Sequence, residues 1–149
     1  MINLQVKRNI KLPVEKSTLL LAAQVTLDFE NVSASDVSIV IGNDEFLKML
    51  NRKYRNIDAA TDVLSFSTSE PDPDTGSIYL GDVVISLPRA EAQAAAGGHP
   101  VVDELQLLVV HGILHLLGYD HLEQVEKEKM QVAQDNVLHQ LGVSLVSTL

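Results

Sequence analysis

The chain has 149 residues, a formal charge of −9 and no cysteine. That length is enough for one domain, expected to span residues 1–149, with a core that needs no covalent staples. Disulfides and thiolate metal sites are excluded, so a metal must be held by His, Asp, Glu or backbone oxygen. The acidic balance argues against a generic nucleic-acid binder, which is usually basic. The start, MINLQVKRNIKLP, lacks the apolar stretch of a signal peptide, and no apolar run approaches the ~18 residues of a membrane span. A cytoplasmic protein with no membrane partner is the expectation.

In chain order, INLQVK alternates apolar and polar residues, as a half-buried strand does. The segment 13–29, PVEKSTLLLAAQVTLDF, predicts a helix with Pro13 in its first turn. VSIVI is short and β-branched, a strand. Asn43 is placed to cap the next helix, with Asp44 and Glu45 in its first turn. DVLSF predicts a further strand. TSEPDPDTGS, residues 68–77, reads as an exposed loop because it holds two prolines and a glycine. IYLGDVVIS predicts the last strand.

The second half is helical. Ser86 caps LPRAEAQAAA, which GGHP ends. A helix follows from Val101 to Leu117, stopped by Gly118, and another from Leu122 to Leu141, stopped by Gly142. The order β-α-β-α-β-β-α-α-α predicts an α+β fold: a small mixed sheet of about four strands covered by about five helices.

Cations cluster on this acidic chain. Lys48, Arg52, Lys53 and Arg55 lie within eight residues, and Lys7, Arg8 and Lys11 form a second group. On charge alone, a solvated helix face explains the first group better than a binding surface does.

The densest chemical signal is HGILHLLGYDH, residues 111–121, which holds three of the five histidines. Its helix is apolar almost all round and therefore central. A histidine there is costly unless its ring nitrogens find partners. Residues four apart on a helix differ by about 40° in azimuth and ~6 Å in rise, so His111 and His115 point the same way. Gly118 can take the left-handed conformation that ends a helix and reverses the chain, returning His121 to the same point. Three imidazoles on one ion leave a fourth position open, as in catalytic zinc sites. Asp120 can orient a ligand or cap the final helix, and Tyr119 reads as packing. His99 and His139 lack the spacing and read as ordinary loop or surface histidines.

The spacing matches that of the metzincin peptidases, in which a glutamate beside the first histidine is the general base. Here that position is Gly112. Peptide hydrolysis also needs a proton donor for the amine, whereas a charge-neutralised phosphodiester leaves more easily. The missing glutamate therefore points away from a peptidase. Arg55, in a connector before a strand, has the planar fork that suits phosphate oxygens. By spacing alone, pairing with Asp58 or Asp62 to hold the connector is the better reading of Arg55. Asp82, in GDVVIS, reads first as a strand-edge turn former and second as a functional acid.

HGILHLLGYDH, NRKYRNIDAATDVLSF and YLGDVVIS, in this order, resemble the signature blocks of the YbeY family of bacterial rRNA maturation factors, over essentially the whole chain. The resemblance implies a metal-dependent endoribonuclease with His111, His115 and His121 on a zinc ion, His115 and Arg55 serving catalysis in the cleft. It implies single-stranded ribosomal RNA, not DNA, as substrate, with a role in small-subunit rRNA 3′-end maturation and ribosome quality control. It also gives Lys48, Arg52, Lys53 and Arg55 a role as a track for RNA phosphates. Asp82 matches a position linked in the family to a small-subunit ribosomal protein. The family usually carries proline where this chain has Ala60 and Ser67, so the connector is expected to be less rigid. Two other readings stay open: a metal-dependent hydrolase of a peptide or small amide, and a non-catalytic ribosome assembly factor with structural zinc.

Overall fold

The structure, a computed structural model, describes residues 1–145, leaving aside the side chains of residues 69 and 70. The elements run β1 (Ile2–Val6), α1 (Lys16–Phe29), β2 (Asp36–Gly42), α2 (Asp44–Arg55), β3 (Val63–Pro71), β4 (Ile78–Ser86), α3 (Leu87–Gly97), α4 (Val101–Leu116) and α5 (Gln124–Gln140). The sheet order is β1-β2-β4-β3, with β1, β2 and β4 parallel and β3 antiparallel to β4. The fold is the α+β arrangement the element order implied, a four-stranded mixed sheet with five helices.

The local signals act as their chemistry demands. Asn43 accepts a hydrogen bond from the Phe46 N–H at 2.9 Å and starts α2. Ser86 is fully buried; its hydroxyl accepts from the Arg89 N–H and donates to Asp44, tying the starts of α3 and α2 together. The Ser86 hydroxyl, helped by Arg89, holds the Asp44 carboxyl below the usual carboxylate range. Helices α1 and α5 begin later than the sequence pattern suggested, at Lys16 and Gln124.

One element departs further from expectation. The segment 68–77 is not all loop, because β3 continues to Pro71, with residues 70 and 71 paired to Tyr79 and Ile78. Strand β3 is the sheet edge, and a proline at its end removes no donor that a further strand would need. The tight turn that remains is an Asp turn: Asp72 Oδ1 accepts from the N–H groups of Asp74 and Thr75. His99 is also more than a loop histidine. Its Nε2 lies 2.7 Å from the carboxylate of Glu104, a buried residue in the first turn of α4.

The main core lies on one face of the sheet. Val37, Ile39, Ile41, Val83 and Ile85 pack against Leu19, Ala23 and Leu27 of α1 and Leu105, Val109 and Ile113 of α4. Helix α4 turns Val110 and Leu114 the other way, against Met130, Val137 and Leu138 of α5. It is thus enclosed on two sides, the central helix that its all-round apolarity required. Helix α2 covers the opposite sheet face through Leu47, Leu64 and Val84.

Gly112 sets how closely α4 approaches the sheet. A Cβ there would stand 2.5 Å from Val83 Cγ1 and 3.3 Å from the Ser65 hydroxyl. That hydroxyl donates to the Gly112 carbonyl at 2.9 Å. The position faces the sheet, so it has no room for the glutamate that metzincins carry there. Gly112→Ala gains about 1 kcal/mol of helix propensity but forces Val83, which is fully buried, to move. Overpacking of this kind costs about 1–3 kcal/mol. The expected net result is a lower urea midpoint and a loss of up to about 2 kcal/mol; an unchanged midpoint would show that the helix can slide without cost.

Candidate metal centre

Helix α4 ends in a hydrogen-bonded reversal. The Gly118 N–H reaches the His115 carbonyl and the Tyr119 N–H reaches the Leu114 carbonyl, both at 3.1 Å. This is the Schellman pattern, and it needs the positive φ of Gly118, +100°. The reversal returns the chain across the end of α4 and brings His121 to the pair on the helix. The ring centroids of His111, His115 and His121 lie 4.7, 5.1 and 5.8 Å apart. One ligand nitrogen from each can be chosen so that all lie within 4.8 Å of one another.

The outer nitrogens fix how the inner ones face. His115 Nδ1 lies 2.9 Å from the Tyr119 carbonyl, which can only accept, so Nδ1 carries the proton. His111 Nδ1 lies 2.9 Å from Gln134 Oε1 and donates to it in the same way. Both rings then present a bare Nε2 lone pair, and these two atoms are 3.1 Å apart. Burial pushes both imidazoles toward the neutral form, His115 to about 4, with the neighbouring His111 adding to the shift. Two lone pairs this close repel, and a cation between them turns the repulsion into ligation. In a tetrahedral zinc site with bonds of ~2.0–2.1 Å, ligand nitrogens stand about 3.3 Å apart. The donor set and its spacing therefore fit a metal ion. Asp62 and Asp120 add negative charge that favours a positive centre at His111 and His115.

The cluster opens into a cleft of about 730 Å³ that Arg55, Thr61, Asp62 and Ser65 also line. Arg55 pairs with neither Asp58 nor Asp62 by salt bridge. Its Nη2 donates to the Ser65 carbonyl at 2.7 Å, and Arg52 is the residue that meets Asp58, at 4.0 Å. The connector behind Arg55 is held despite lacking proline at position 60. The buried Asn51 side-chain amide donates to the Ala59 carbonyl, and the Asn51 main-chain carbonyl accepts from the Ile57 N–H.

Lys48, Arg52 and Lys53 share α2 with Arg55, but only Arg55 lines the cleft. Asp82 lies elsewhere, on the α2 side of the sheet, where the Tyr79 hydroxyl hydrogen-bonds its carboxylate. Asp120 does not cap α5, which starts from Glu123; its Oδ1 accepts from the His121 N–H at 2.7 Å. Tyr119 packs beside the α4–α5 core and also supplies the carbonyl that orients His115. Sequence reasoning missed Gln134, whose side chain is 1% exposed. A polar residue between Ala133 and Val137 on the apolar side of the last helix was the available signal.

This is an α+β fold that presents three convergent imidazoles in a cleft that an arginine also lines. The family model described as Endoribonuclease YbeY matches residues 2–142, and the chain belongs to that family. Relatives named Endoribonuclease YbeY include one from Desulforamulus reducens, 39% identical, covering 90% of this chain and 93% of its own. Another, from Pelotomaculum thermopropionicum, is 45% identical and covers 83% and 84%. A third, from Geobacillus kaustophilus, is 42% identical and covers 88% of each chain. Among solved structures, a Thermotoga maritima protein determined in solution matches with a TM-score of 0.63 and 26% identity, covering 95% of this chain and 89% of that one.

The orientation of the rings can be read directly. Nitrogen NMR of the metal-free protein at neutral pH is expected to show His111 and His115 as Nδ1–H tautomers. In Gln134→Leu, His111 alone is expected to shift toward the Nε2–H form. A wild-type spectrum with His115 protonated on Nε2 would overturn the orientation argument.

Proposed function

We propose that the protein is a zinc-dependent endoribonuclease acting on single-stranded ribosomal RNA, with His111, His115 and His121 as the metal ligands. The observation that carries this reading is the pair of inward Nε2 atoms, 3.1 Å apart, in a cleft that Arg55 also lines. His111, His115 and His121 would hold a divalent ion, which would supply Lewis acidity to a phosphoryl oxygen or to the attacking hydroxyl, whether of water or of the RNA. The chain's own residues do the rest. His115 and His111 keep their lone pairs on the cleft through the Tyr119 and Gln134 acceptors. Arg55, held by the Ser65 carbonyl, keeps further N–H donors for the phosphate and offsets charge that builds in the transition state.

Position 112 cannot hold a general base, which weighs against the peptidase reading. An arginine that lines the same cleft as the imidazoles weighs against zinc with a purely structural role.

The overall charge of −9 implies weak affinity for naked RNA. Selectivity is therefore proposed to come from docking on the small ribosomal subunit in the cytoplasm. Asp82 is proposed to contact a small-subunit ribosomal protein there, and Lys48, Arg52 and Lys53 to steer the strand toward Arg55. Maturation of the 3′ end of the small-subunit rRNA and ribosome quality control are the proposed settings.

Elemental analysis of purified protein is expected to find stoichiometric zinc, and chelation to abolish cleavage of single-stranded RNA. His115→Ala should lose most of the metal while keeping its helical circular dichroism. A protein that is metal-free yet fully active would end the proposal. Arg55→Ala should retain the metal and slow cleavage by about 10²-fold, the scale of losing one oriented donor to a developing anion. Wild-type turnover in that variant would remove Arg55 from the site.

A further inference from the structure

Beside the cleft, four side chains form a short ladder. The Tyr54 ring meets the Phe66 ring edge-on, with centroids 5.5 Å apart and planes at 65°. The Arg55 guanidinium lies 5.6 Å from the Phe66 centroid, and the Lys53 ammonium 5.1 Å from the Tyr54 centroid. Phe66 is half-buried and packs into the small core beneath α2, so it is a fixed support. Tyr54 is 60% exposed.

An exposed aromatic ring on a rigid backing, between two cations, is a poor use of apolar surface unless something covers it. Its neighbours say what. Arg55 both lies over Phe66 and lines the histidine cleft, so the ladder and the cleft share a residue. A strand that places a phosphate on Arg55 has an adjacent base close to Tyr54. The cations suit its phosphates, and the ring suits any base, because every base has a π-face. A protein partner's apolar anchor would use the ring but not the flanking charge.

We propose that Tyr54, backed by Phe66, is a stacking platform for an unpaired nucleobase of the strand whose phosphodiester enters the cleft. This rests on the RNA reading above. Tyr54 and Arg55 then address a base and a phosphate through consecutive residues. The contact adds affinity without base identity, so it is sequence-tolerant.

The chain has no tryptophan, so Tyr54→Trp introduces a single emitter. Its fluorescence should be quenched by an unstructured oligouridylate, and much less by the same oligonucleotide when the stacked position is abasic. Tyr54→Ala should weaken oligouridylate binding about tenfold, within the range of one lost base–aromatic stack, with the loss falling on KM and not on kcat. Tyr54→Phe should keep the wild-type value. Three results would overturn the platform while leaving the RNA reading intact: wild-type binding in Tyr54→Ala, equal losses in Tyr54→Ala and Tyr54→Phe, or tryptophan emission blind to saturating oligouridylate. A wild-type protein that neither binds nor cleaves the oligonucleotide would remove both. Circular dichroism and thermal melting of each variant separate these outcomes from misfolding.

Discussion

The hydrogen bond from His115 Nδ1 to the Tyr119 carbonyl joins the end of a helix to the chemistry of the cleft. The reversal at Gly118 satisfies the last carbonyls of α4, which would otherwise be left without donors. The same reversal aims the Tyr119 carbonyl back at the ring one turn earlier. Terminating the helix and fixing the tautomer of His115 are therefore one event. His121 arrives through the same few residues. The cluster depends on a local turn more than on long-range assembly, although Gln134 reaches across from α5 to complete the orientation of His111.

The distance between the two walls of the cleft is set by Ser65. Its hydroxyl donates to the Gly112 carbonyl on α4, and its own carbonyl accepts from Arg55. One residue of β3 thus holds both the imidazole-bearing helix and the guanidinium that faces it. The approach works because residue 112 has no side chain, so the helix backbone comes within reach of a serine. The glycine that looks like a missing catalytic base is a packing requirement. The connector after Arg55 is tied down in turn by Asn51, whose amide donates to the Ala59 carbonyl.

What the sequence disclosed was local. A long apolar run stopped by Gly118 marked α4, and the spacing of His111, His115, Gly118 and His121 encoded the convergence, since helix pitch and one left-handed residue determine it. Asn43 and Ser86 were readable as caps for the same reason. What stayed hidden needed partners remote in sequence. Gln134 lies 23 residues from His111, and Ser65 lies 47 from Gly112. The continuation of β3 past Phe66 was masked by Pro71, which local rules assign to a loop and an edge strand tolerates. His99 looked idle because Glu104, which it meets, sits on the next helix as an ordinary first-turn acid. Arg55 fell between the two cases: its own neighbours suggested an ion pair, and only the strand opposite supplied its acceptor.

The charge distribution raises a last point. A chain at −9 should repel a polyanion, yet the proposed substrate is one. At physiological ionic strength, charges beyond about 8 Å are largely screened, so contact is governed by the groups within the cleft. There both signs are present. Asp62 and Asp120 favour positive charge at the imidazoles, and Arg55 lines the same space. The carboxylates suit a cation and the guanidinium suits a phosphate, so each charge has a counterpart and neither must be neutral alone. Global repulsion then costs association rate more than contact energy. A stacking contact at Tyr54 adds affinity that salt does not erode, which is what an acidic protein acting on a nucleic acid would need.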